Sequence, residues 1–465
     1  PYLPGGETAM NEFAPRHGRN QPSSMFFWPT ADRPVAVRGE GIFIWDDEGR
    51  RYVDASCGPQ TTNIGHNNRR VVEAMRAQMD DICFAFRSHF KNGPAETLAD
   101  RLADLGQDKG LTRAFFCSGG SEAVEGAIKL ARQYALAKGE GTRYKIISRL
   151  PSYHGSTLGA LSLTGDPAMF APFAPMMQIQ PKIPAPFVVE RPEGESEDAA
   201  ALRFAQALED EIINQGPSTV LAFIMEPIGG AATGGLIAPD VYYARVREIC
   251  DRHGLLLIYD EVMCGSGRSG KYLCAEHWDA NPDIIAMAKG LAAGYVPLGA
   301  VLARGEMVEA VYDAGGYAHG HTYSAGPLAC AAGLAVMDVL KEDGLVANAA
   351  RQGAKLKAAL EGLMDEFPFI GEVRGRGLML GFDVMADRTK RIPLPPELNA
   401  GSEIAQACYD RGLIIYSRRM LDGLRGDHFL VTPPLNVTDE EIGMIVDLLR
   451  QGLGDFAPKA AAATR

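Results

Sequence analysis

From about residue 66 onward, short uninterrupted apolar runs alternate with longer stretches of helical periodicity. The runs are "AFFCS" (114–118), "YKIIS" (144–148), "VLAFIM" (220–225), "LLLIYD" (255–260), "DIIAMA" (283–288) and "LGAVLA" (298–303). A strand that is apolar on both faces must be covered on both faces, as happens when helices sandwich a parallel sheet. The alternation therefore predicts an α/β domain with a mostly parallel sheet over residues 66–335. Upstream, "GIFIWDDEGRRYVDA" (41–55) predicts a hairpin turning at Asp46-Asp47-Glu48-Gly49. Residues 1–65 read as an N-terminal arm plus part of a smaller domain. The proline-rich, acidic stretch 181–200 reads as a surface excursion. Beyond about residue 335 the texture changes. A helix over about 345–367 leads to a glycine-broken strand pair (371–384), then another helix, "GLIIYS" (412–417), "DHFLVTPP" (427–434) and a helix opened by Thr438. That α+β pattern assigns 336–465 to the C-terminal part of the smaller domain, with "AAAATR" as a frayed tail.

Composition narrows the function. A chain of 465 residues holds two or three domains. Asp and Glu outnumber Lys and Arg by 58 to 46, which argues against nucleic acid or an anionic membrane surface as a partner. No run reaches the roughly 18 apolar residues of a membrane span, and no signal peptide opens the chain. The eight cysteines are scattered without a C-x-x-C pair, which reads as reduced thiols in a cytoplasmic protein. Glycine, at 52 residues, is in excess, and its clusters mark the turns discussed next.

In open α/β sheets, ligands bind beyond the carboxyl ends of the strands. There the runs lead into Gly119-Gly120-Ser121, Tyr153-His154-Gly155, Glu226, Asp260-Glu261 and Lys289. One such ending is a strand reaching water; five on one sheet edge mark a site. After Gly119-Gly120, a helix with Val124, Ile128, Ala131 and Ala135 on one face would present free N–H groups and the Ser121 hydroxyl to an anion. A plain helix cap is the alternative there, and no Walker A spacing follows. Lys289 lies 29 residues after Asp260, at the end of the next strand. A lysine in an apolar site can form a Schiff base, and a carboxylate can keep a pyridine nitrogen protonated. Schiff-base lysine, pyridinium partner and phosphate cradle are what pyridoxal phosphate requires. Two lookalikes fall away. The GxGxxG at 265–270 does not open a helix directly after a strand, and His319-Gly320-His321 has no third metal ligand at suitable spacing.

Residues 255–301 strongly resemble the class III aminotransferases, also called omega-aminotransferases, which are pyridoxal-phosphate enzymes of fold type I. The resemblance continues through "GEGIFIWDD" (39–47), "NIGH" (63–66), "SGGSEAVEGAIKLAR" (118–132), "SYHGST" (152–157), "MEPI" (225–228), "HTYSAGPLACAAGLA" (321–335) and "VRGRGLMLG" (373–381), nearly the whole chain. It implies that Lys289 carries the Schiff base and shuttles the proton, and that Asp260 pairs with the pyridine nitrogen. It places Tyr153 and Val262 on the two ring faces, Gly120 and Ser121 on the phosphate, and His154 and Glu226 near the ring. Thr322 would reach the phosphate of the neighbouring subunit, so a homodimer or tetramer with shared active sites is expected.

Departures from the family pattern bear on substrate. Members using both an omega-amine and 2-oxoglutarate carry a glutamate where this chain has Ala231. Gln60 replaces a frequent aromatic residue, and Trp28 and Gln60 are expected substrate contacts. Arg425, just before Gly426-Asp427-His428, is the expected carboxylate ligand, with Arg418 and Arg419 nearby and a plain surface arginine as the alternative. The resemblance thus implies ping-pong transfer of an amino group from an amine or omega-amino acid to a keto acid, with pyruvate favoured. An aminomutase, a decarboxylating transaminase or an amino-alcohol phospho-lyase would use the same scaffold, and a non-catalytic protein retaining the fold is the remote alternative.

Overall fold

A computed structural model describes residues 33–463. Near the start, β1 (Ala36–Glu40), β2 (Phe43–Asp46) and β3 (Arg51–Asp54) form an antiparallel meander, and β2 and β3 are the expected hairpin. The central sheet follows: β4 (Leu111–Cys117), β5 (Lys145–Leu150), β6 (Lys182–Pro184), β7 (Val220–Met225), β8 (Leu256–Asp260), β9 (Ile284–Met287) and β10 (Gly299–Arg304). Its order is β4-β10-β9-β8-β7-β5-β6.

Side chains along the central strands alternate between two cores. In β7, Val220, Phe223 and Met225 face one, while Leu221, Ala222 and Ile224 face the other. The helices Glu197–Gln215 and Asp240–His253 cover the first face through Leu208, Val246 and Ile249. The helix Gly120–Ala137 covers the second through Val124, Ala127 and Ala131. Two-sided burial thus accounts for the continuous apolar runs.

Direction is a separate matter. β5, β7, β8 and β9 run parallel, but β10 is antiparallel to both its neighbours, β9 and β4. The segment between β9 and β10 contains only the short 3₁₀ turn Lys289–Leu291, without the crossover helix that a parallel return commonly uses. The stretch expected as a surface excursion instead supplies β6 at the sheet edge, and Ile183, Ala185 and Phe187 are buried. An edge strand tolerates its prolines.

The C-terminal region contributes β11 (Ile370–Arg376), β12 (Met379–Asp387), β13 (Ile392–Pro393), β14 (Leu413–Ile414), β15 (Tyr416–Arg419) and β16 (Asp427–Val431). β14 pairs in parallel with β3, joining the two ends of the chain in one sheet. A separate core gathers Ile42 and Val53 from the N-terminal meander with Leu356, Phe382, Phe429 and Leu449 from the C-terminal region. The last helix runs Asp439–Ala463, and Ala460 is buried against this core, so the segment expected to fray is helical as far as Ala463. All eight cysteines are free thiols, seven of them buried. Among the described residues, no helix is long and apolar enough to cross a membrane.

Candidate active site

The carboxyl edge of the central sheet opens into a cavity of about 300 Å³. Gly120, Ser121, Tyr153, His154, Glu226, Asp260, Val262 and Lys289 all line it. These residues come from five separate stretches of sequence, brought together because their strands end on the same edge.

At the centre is a hydrogen-bonded set of buried polar groups. The Asp260 Oδ2 atom lies 2.8 Å from His154 Nδ1, and its Oδ1 accepts from the Val262 amide at 3.1 Å. Glu226 accepts from the amides of Tyr153 (3.2 Å) and Gly230 (2.9 Å). Burial pushes the Glu226 carboxyl above its ordinary value, and the Asp260 charge adds to that rise. Burial lowers the Lys289 ammonium to about 8, with Asp260 and Glu226 pulling the other way. Lys289 also holds a left-handed backbone, φ +47°, which a lysine seldom adopts.

The helix Gly120–Ala137 aims its N-terminus at this centre. Gly119, the extended N-cap residue, provides no side-chain cap to the helix. A Cβ on Gly120 would lie 2.8 Å from Val262 Cγ1, so only glycine lets the turn come this close. Ser121 Oγ accepts from the Ser156 amide at 3.0 Å, and Tyr153 Oη lies 3.0 Å from Ser156 Oγ.

The remaining expected residues are placed elsewhere. Arg425 does not line this cavity: its guanidinium pairs with Glu190 and stacks on the Phe187 ring at 4.5 Å, in a separate cleft. Gln60 is buried but is not in the lining, although its neighbour Pro59 is. Thr322 sits in an exposed turn and does not line the cavity of its own chain. Trp28 lies outside the described residues.

Arg418 is the arginine in the lining, beside Tyr416 and Met169. Alternation along β15 puts Tyr416 and Arg418 on one side, while Arg419 bonds Asp427 at 3.1 Å. That period of two was the available signal. Ala231 also lines the cavity, its carbonyl 2.9 Å from His428 Nε2.

The chain belongs to the class III aminotransferases: the family described as "Aminotransferase class-III" matches residues 29–453. It is 38% identical to the uncharacterized aminotransferase YodT of Bacillus subtilis over 421 residues, 90% of this chain and 94% of that protein. Its fold matches a thermostable (S)-enantioselective omega-transaminase from Thermomicrobium roseum, with a TM-score of 0.85, 38% identity, and coverage of 91% and 92% of the two chains. It also matches an amine transaminase from an uncultivated Pseudomonas species in its PLP-bound form, with a TM-score of 0.86, 36% identity, and coverage of 94% and 98%. The protein is accordingly an aminotransferase of PLP fold type I that depends on pyridoxal phosphate.

The donor set suits that cofactor. A lysine of lowered proton affinity, a buried carboxylate and a helix N-terminus without a side-chain cap surround one space. The buried His154 Nε2 has no hydrogen-bond partner among the described residues, leaving a polar atom for a group at this centre.

Proposed function

We propose that this aminotransferase moves an amino group from an amine or omega-amino acid to a keto acid, with pyruvate as the preferred acceptor. The observation that carries the reading is the convergence of Lys289, Asp260, Glu226 and an uncapped helix N-terminus on one cavity. Bound pyridoxal phosphate supplies an electron sink that stabilises negative charge at the substrate carbon.

The chain's own groups then have distinct tasks. Lys289 Nζ, with its proton affinity lowered by burial, would take the proton from the substrate carbon and deliver it to the cofactor carbon within one half-reaction, and carry it the opposite way in the other. Asp260, fixed by His154 and the Val262 amide, presents a carboxylate to the protonated ring nitrogen. Tyr153 and Val262, both in the cavity lining, would hold the two faces of the cofactor ring. The first amides of the helix Gly120–Ala137 and the Ser121 hydroxyl would hold the phosphate, and Thr322 of the partner subunit would join them in a homodimer. Arg418 takes the place expected of Arg425 and receives the acceptor's carboxylate. Ala231 supports pyruvate over 2-oxoglutarate, since no carboxylate at that position alternates with substrate.

A panel of donors (β-alanine, 4-aminobutyrate, diamines, aromatic amines) against pyruvate and 2-oxoglutarate tests the reading. Alanine formation is expected, and a strong 2-oxoglutarate preference overturns the acceptor assignment. Borohydride is expected to fix the cofactor on Lys289, and Lys289→Ala to lower kcat by at least about 100-fold.

A further inference from the structure

Asp166 lies 252 residues before Arg418 in the chain, yet its Oδ2 accepts from Arg418 Nη2 at 2.7 Å. Asp166 is 7% exposed and stands at the entry to the short helix Pro167–Phe170, where its side chain makes no capping bond. The carboxylate is therefore committed to the arginine. Arg418 also touches Met169 Sδ, and its Cζ lies 5.9 Å from the centre of the Tyr153 ring. Arg418, Met169 and Tyr153 line the cavity, and Asp166 backs the guanidinium.

We infer that Asp166 is a resident counter-carboxylate of Arg418 that sets selectivity between substrates with and without a carboxylate. This rests on the reading of Arg418 as the acceptor's carboxylate site. A guanidinium offers five N–H donors in a planar fork, and the bond to Asp166 uses one nitrogen of it. While a carboxylate-free amine fills the cavity, Asp166 neutralises a cation that would otherwise stand unpaired and repel the incoming ammonium group. When a keto acid enters, its carboxylate competes with Asp166 for the same positive charge. Asp166 thereby weakens carboxylate binding and eases the entry of plain amines. The other wall offers no substitute, because position 231 is alanine. Asp166 is thus a positioning residue, acting through Arg418.

The test uses holoenzyme carrying Asp166→Asn. Expected results are a pyruvate KM lowered about three- to tenfold and a KM for a carboxylate-free amine, such as 1-phenylethylamine, raised by a similar factor. Calorimetric binding of propanoate, an unreactive carboxylate, should tighten by the same factor as pyruvate. Asp166→Glu should bring all three values back toward wild type. Both KM values moving in the same direction, or neither moving, overturns the inference. If Asp166→Asn does not fold, Asp166→Ser serves with the same expectations. Arg418→Ala separates the two readings. If it leaves pyruvate KM and propanoate binding unchanged, the Arg418 reading fails and the inference with it. If it weakens both while Asp166→Asn produces no split, the Arg418 reading stands and only the role of Asp166 falls.

Discussion

Lys289 shows how far burial alone can prepare a residue. In the fold its ammonium loses its proton from about pH 8, whereas an unfolded lysine keeps it to about 10.4. Between those values the unfolded chain binds more protons, so this group's contribution to stability rises with pH and is least favourable below pH 8. Cofactor-free Lys289→Met should therefore exceed the cofactor-free parent in Tm most at pH 7, with the difference closing toward the ordinary lysine value. A difference independent of pH would show that burial does not penalise the charge. The lysine was legible because it ends a strand. Which arginine faces the cavity was not, because the period of two in β15 groups Arg418 with Tyr416 but leaves packing to decide whether that side or the cleft around Arg425 meets the site.

At the scale of elements, the site depends on how closely the loop after β5 meets the helix Gly120–Ala137. Gly155 has φ +135°, and a Cβ there would stand 2.7 Å from Ser121 Oγ and 2.9 Å from Ala160 Cβ. Gly155→Ala should cost about 1–3 kcal/mol, read as a lower urea midpoint, and should speed cofactor loss because Ser121 must shift. Strand positions along the central sheet followed from local apolar pattern. The reversed direction of β10 did not, since two-sided burial is the same for a strand running either way.

Across the whole molecule, one buried arginine joins distant parts of the chain. Arg268 is fully buried, bonding Asn63 Oδ1 at 2.6 Å and the carbonyls of Leu378, at 3.2 Å, and Pro433. It ties the central segment to both the N-terminal and C-terminal segments. This is the task of the glycine-rich stretch 265–270: Gly267 and Gly270, both with positive φ, form the turn that carries Arg268 inward. Arg268→Ala leaves three buried acceptors without their donor and should destabilise by about 3 kcal/mol or more, seen as a lowered Tm. Arg268→Lys should recover only part, because an ammonium lacks the planar fork.

By itself the sequence determined the α/β architecture and the candidate groups gathered at the sheet edge. Strand periodicity records burial on both faces, and the carboxyl ends of those strands that run parallel share an edge. Tertiary structure alone decided which arginine faces the cavity, that β10 runs backward, and that Asp166 meets Arg418. A period of two shows which residues share a side of a short strand but not which side meets the cavity, and a pairing across 252 residues exists only once the elements bearing it have packed.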